Sequence, residues 1–147
     1  MPPFRRKLQL AGLEVAELNR PNVIHVSGAK GKGSTCAFAE GILRRAGFRT
    51  GFYNSSRSIK VTERIQLNGK PMSEHLFATC FRQIFGRLME ATTMRGEQVS
   101  TPSYFSFLTI IAFHIFLEQR VDCASLRLEW VASTIQRMLS RGRSLVA

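Results

Sequence analysis

Val23-Ile24-His25-Val26-Ser27-Gly28-Ala29-Lys30-Gly31-Lys32-Gly33-Ser34-Thr35 is a short apolar run that passes straight into glycines and lysines. Four apolar or semi-apolar residues after Pro21-Asn22, with no alternation, read as a buried parallel strand over 23–26. Ser27 to Ser34 then reads as a loop. Thr35 to Ala46 carries Phe38, Ile42 and Leu43 at helical spacing, and Gly47 is its expected stop. A strand, a glycine-rich loop and a helix start, in that order, form an anion cradle. Glycines at 28, 31 and 33 let the backbone adopt left-handed angles and approach phosphate oxygens closely, while the first-turn N–H groups and the helix dipole point at the same oxygens. Lys32 can reach the β- and γ-phosphates as a point charge, and a hydroxyl from Ser34 or Thr35 can ligate magnesium. The pattern departs from G-x-x-x-x-G-K-[ST]: Val26 stands five residues before Gly31, and Gly33 follows Lys32. Lys30 is read equally as a phosphate contact or as a solvated charge.

Working outward, Thr50 to Tyr53 reads as a second strand, reached by the short connection of a β-loop-α-β unit. Ile65 and Leu67 alternate with polar residues, and Asn68-Gly69 predicts a tight hairpin turn. Ser73 is a plausible N-cap for a half-buried helix with Leu76, Phe77, Phe81, Ile84, Phe85 and Leu88 at three- and four-residue steps. Thr101-Pro102 predicts the start of a further helix, apolar nearly all round and therefore sandwiched between layers. Its core, Tyr104 to Leu117, is shorter than a bilayer span and includes Ser106, Thr109 and His114, so it reads as a core helix. Val121 to Ala124 begins a further strand. From Ser125 the pattern of an α/β domain fades, and residues 125–147 are expected to pack poorly.

The 147 residues contain 44% hydrophobic and 10% aromatic side chains, enough for a core and too many for a disordered chain. The net charge of +11 favours polyanions in general, but the cations are scattered without interleaved aromatics and read as solvated surface, so no specific nucleic-acid partner is expected. A non-catalytic basic module and an unstable product are the alternatives to an enzyme reading. Cys36, Cys80 and Cys123 are odd in number and widely spaced, which predicts buried thiols in a reducing compartment with neither disulfide nor zinc. The basic N-terminus is not followed by the apolar stretch of a secretory signal. The expected compartment is the cytoplasm, with a mitochondrial form as the alternative. His25, His75 and His114 read as structural or exposed, the phenylalanine series at 77, 81 and 85 as core, and Glu63-Arg64 either as a strand-edge pair or as a cleft contact.

The run from His25 to Phe38 closely resembles the nucleotide loop of folylpolyglutamate synthases, a branch of the Mur-ligase-like ATP-dependent amide ligases. Gly51-Phe52-Tyr53-Asn54-Ser55, Glu63-Arg64-Ile65, Asn68-Gly69-Lys70-Pro71, Tyr104-Phe105, Phe107-Leu108-Thr109 and Ala112-Phe113 resemble its next landmarks in order, so the similarity extends over roughly 13–124. The resemblance implies a partial P-loop Mur-ligase-like ATPase domain, α/β in class, three-layered around a mainly parallel sheet. It also implies an activity: ATP phosphorylates a folate-linked glutamyl carboxylate, and the amine of an incoming glutamate attacks the acyl phosphate. ATP and magnesium are the implied cofactors, with folate and glutamate as substrates and no membrane span. Lys32 becomes the catalytic cation, Gly28, Lys30, Gly31, Lys32, Gly33, Ser34 and Thr35 the nucleotide contacts, and Ser34 and Ser55 the magnesium ligands. The family has threonine where Ala29 stands, and Ser-Pro-His-Leu where this chain has Ser55-Ser56-Arg57-Ser58. Beyond Ala124 the family continues with an acidic strand end and a Gly-Gly-x-Tyr-Asp-x-Thr-Asn stretch. Residues 130–138 can be read in another frame as such a motif, so the expectation is a truncated domain over 1–124, a frame-shifted or mis-spliced tail over 125–147, and no turnover without the remainder of the enzyme.

Overall fold

Asn22–Val26 forms β1, because its β-branched residues suit a strand covered on both faces. The computed structural model describes residues 3–26, 30–55, 60–94, 96, 103–128 and 144–146. Around β1 the chain builds a six-stranded sheet with β2 at Thr50–Asn54, β3 at Ile65–Leu67, β4 at Lys70–Pro71, β5 at Cys123–Arg127 and β6 at Ser144–Val146. The order is β4-β3-β2-β5-β1-β6. β2, β5, β1 and β6 run parallel, and β3 and β4 add an antiparallel hairpin at one edge. Asn68 (φ 52°) and Gly69 (φ 79°) make that hairpin turn, both in the left-handed region the sequence predicts there.

The helices are α1 (Pro3–Leu10), α2 (Lys32–Arg45), α3 (Glu74–Thr93) and α4 (Tyr104–Glu118). α2 covers one face of β1, β2 and β5, while α4 lies against β2 on the other face, with α3 outside it and α1 against α3. Alternation along the strands separates two apolar clusters. Val23, Tyr53, Ala124 and Leu126 meet Phe113 and Phe116 of α4 in the main core, whereas Val26 and Phe52 meet Cys36 of α2. The close approach of α4 to the sheet needs Gly51, where an added Cβ would lie 2.6 Å from the Phe116 ring. Among the described residues no helix is long and apolar enough to cross a membrane.

Ser73 caps α3 as predicted, its hydroxyl accepting from Leu76 N–H at 3.1 Å. α4 starts later than the sequence suggests. Its cap is Ser103, whose hydroxyl accepts from Ser106 N–H, and Thr101-Pro102 lies outside the described residues. The predicted apolar face of α2 is corrected outright: Phe38 is 72% and Ile42 68% exposed. The helix instead turns Cys36 and Glu40 inward. Glu40 is buried because Thr50 donates to it at 2.7 Å and Arg44 at 3.0 Å, which ties the helix to the start of β2.

The poor packing expected from Ser125 onward is corrected for residues 125–128. β5 continues to Arg127, because Leu126 keeps the alternation and Leu126 and Leu128 are buried in the main core. Ser125 donates to the Cys36 carbonyl at 3.1 Å, and β6 pairs with β1. Residues 129–143 and 147 lie outside the described residues.

Candidate functional site

Val26, Arg127 and Asn54 lie level with one another at the carboxyl ends of β1, β5 and β2. In an open parallel sheet this edge is where ligands bind. The chain leaves β1 there and enters α2 through Gly31, which caps the helix at φ +78°, a left-handed angle that only glycine adopts without strain. Among the described residues nothing stands within 4 Å of where its Cβ would be. Lys30, Gly31, Ser34 and Thr35 are exposed, and Lys32 and Gly33 half-buried. Gly28 lies outside the described residues.

The first intrahelical bond of α2 is Thr35 N–H to the Gly31 carbonyl at 3.0 Å, and the Thr35 hydroxyl donates to the same oxygen at 2.9 Å. The N–H groups ahead of it precede the first intrahelical bond of the helix, the position at which backbone amides are available to an anion. Thr35 therefore donates its hydroxyl proton within the loop, and Ser34 is exposed beside it.

Ser55 follows β2 and is buried. Its N–H donates to the Arg127 carbonyl at 2.9 Å, and its own carbonyl accepts from Arg64 at 2.9 Å. Arg64 is buried beneath Tyr104 and Phe105, its guanidinium carbon 5.9 and 5.4 Å from the ring centroids. It is a brace for Ser55. Glu63 does something else, accepting from Lys60 N–H to close a 3₁₀ turn at Val61–Arg64.

Arg127 was not among the residues the sequence singled out. Its guanidinium donates to Asn54 Oδ1 at 3.2 Å, and its atoms lie 3.6–3.7 Å from where a Gly33 Cβ would stand. It thus fills the space between the end of β2 and the first turn of α2. Only the fold reveals this, since residues 33, 54 and 127 are far apart in sequence. Beneath the loop His25 is fully buried, and among the described residues neither ring nitrogen has a hydrogen-bond partner. Burial lowers its pKa below the usual 6.5, so it is a neutral packing residue.

The arrangement suits the phosphates of ATP, which need an open amide-rich turn and nearby cations. For magnesium, Ser34 and Ser55 offer hydroxyl oxygens, the donor type a hard ion prefers. The guanidinium of Arg127, placed between the elements that carry them, works against a second positive charge.

Sheet order, the loop ahead of α2 and the helices on both faces define the class: an α/β domain of the Mur-ligase-like, P-loop type. No protein-family model matches the chain. The chain is nonetheless a homologue of the folylpolyglutamate synthases. It is 52% identical over 117 residues to mitochondrial folylpolyglutamate synthase of Homo sapiens, covering 80% of this chain and 20% of that protein. The solved folylpolyglutamate synthase of Thermotoga maritima superposes with a TM-score of 0.74 at 30% identity, over 86% of this chain and 29% of that one. The bifunctional folylpolyglutamate synthase/dihydrofolate synthase of Yersinia pestis, complexed with AMPPNP and a Mn ion, gives 0.70 at 31% identity over 88% and 30%. The chain thus spans about a fifth of the length of the curated relatives it matches.

Proposed function

We propose that the chain supplies the nucleotide loop of a folylpolyglutamate synthase, an ATP-dependent ligase that adds glutamate to the γ-carboxylate of tetrahydrofolate in one-carbon metabolism. The observation that carries this reading is Gly31, left-handed at the carboxyl edge of the sheet, capping α2 within the stretch homologous to those enzymes. The amides of the first turn of α2 and the ammonium of Lys32 hold the β- and γ-phosphates. They orient the γ-phosphorus toward the folate carboxylate and disperse charge on the transferring phosphoryl group. Lys30 and Arg127 add positive potential at the rim. Arg64 keeps Ser55 in place beside them. When bound through Ser34 and Ser55, magnesium supplies further charge neutralisation. The carboxylate oxygen forms a bond to the γ-phosphorus as ADP leaves, and the glutamate amine then displaces phosphate from the acyl carbon.

On this reading residues 1–124 and the rest of β5 to Arg127 belong to the ATPase domain and the tail beyond lies outside the family pattern, while the folate and glutamate sites need the remainder of the enzyme. The human relative carries the word mitochondrial in its name; for this chain the cytoplasm is the compartment proposed. Grafting residues 13–124 in place of the matching segment of a full-length relative tests the assignment. ATP-dependent glutamylation should persist in the graft and vanish with Lys32→Ala. A folded graft that binds folate yet forms no glutamyl product would overturn it, and robust glutamylation by the 147-residue chain alone would overturn the need for a remainder.

A further inference from the structure

Cys80 on α3 and His114 and Glu118 on α4 each direct one ligand atom to a common point, all three atoms lying within 4.8 Å of one another. This is the one such cluster of three among the described residues, and it plays no part in the nucleotide site. We propose that Cys80, His114 and Glu118 hold a zinc-class divalent ion, with water as the fourth ligand.

The geometry supports it quantitatively. With bonds of about 2.0 Å to nitrogen and oxygen and about 2.3 Å to sulfur, a tetrahedral ion sets nitrogen and oxygen about 3.3 Å apart and sulfur and oxygen about 3.5 Å apart. The His114 Nε2 to Glu118 Oε2 distance is 3.3 Å, and Cys80 Sγ to the same oxygen is 3.8 Å. Among the described residues His114 Nε2 is buried without a hydrogen-bond partner, its contact to Glu118 being an ion pair when the ring is protonated. It is placed as a ligand edge. His114 and Glu118 sit at i and i+4, on one face of α4.

The site is closed at one end and open at the other. Cys80 is 1% exposed, while the Glu118 side chain is 50% exposed, which leaves room for an ion to enter with its water. Thiolate and imidazole favour zinc over magnesium. The metal-free alternative is a Cys80 S–H donating weakly to Glu118. In that state the thiol is pushed up to about 11 by burial and by the carboxylate. The imidazole is lowered by burial, raised by Glu118 and lowered by Arg87 of α3. Binding an ion would convert the thiol to thiolate and release its proton.

Cobalt(II) titration of the full chain, in a sample whose circular dichroism shows its helices, reads the site directly. One equivalent should give tetrahedral d–d bands and a thiolate-to-cobalt charge-transfer band, displaced by zinc and not by excess magnesium. Cys80→Ser should abolish the charge-transfer band and Cys36→Ser should leave it. Glu118→Gln, at a half-exposed position that threatens folding least, should weaken binding about tenfold or more. Absence of the band, its survival in Cys80→Ser, or its displacement by magnesium would overturn the proposal.

Discussion

His25 is a buried imidazole with no described partner, directly before the loop. The unfolded chain protonates it near 6.5, and the folded chain resists until a lower pH. The unfolded state therefore binds more protons as pH falls below 6.5, so this contribution to stability is present above that value and lost on acidification. His114 is lowered in the same sense. Urea midpoints at about pH 7.5 and about pH 5 should fall with pH, and His25→Gln should flatten part of that slope; a slope unchanged in the variant would mean His25 is not the group. Arg127 makes a different prediction. Removing its charge and adding a carboxylate, in Arg127→Glu, should strengthen the dependence of ATP affinity on magnesium, measured by calorimetry with and without the ion. Equal dependence in both proteins would place Arg127 away from the metal. The loop residues were legible because glycines, lysine and hydroxyls are local in sequence. Arg64 and Arg127 were not, since their roles arise from strand register and from two rings brought in by α4.

At the scale of elements, periodicity located β1, β2, the Asn68-Gly69 hairpin, α3 and α4, since each carries its own cap, turn or repeating apolar row. It misassigned α2. Phe38 and Ile42 occupy a helical row as regular as a core row, but the small Cys36 and the Glu40–Thr50 bond permit closer packing on the sheet. Phe38→Ala should shift the unfolding free energy by no more than about 0.5 kcal/mol, where a core phenylalanine would cost about 3–5 kcal/mol. The larger cost would restore the face read from the sequence. Gly51→Ala should cost about 1–3 kcal/mol by driving a methyl into the Phe116 ring. A neutral result in urea unfolding would mean that α4 and β2 do not approach so closely.

For the whole molecule, the sheet order β2-β5-β1-β6 brings the ends of three parallel strands beneath one helix start. That convergence could not be read along the chain, because β5 arrives a hundred residues after β1. The account's central claim is that this convergence grips a nucleotide's phosphates. Backbone amide NMR during ATP titration tests it most directly. Gly31, Lys32, Gly33, Ser34 and Thr35 should shift together and saturate, and Lys32→Ala should weaken the apparent affinity about tenfold or more. Unmoved signals at those five residues in a folded sample, or an affinity indifferent to Lys32→Ala, would contradict it.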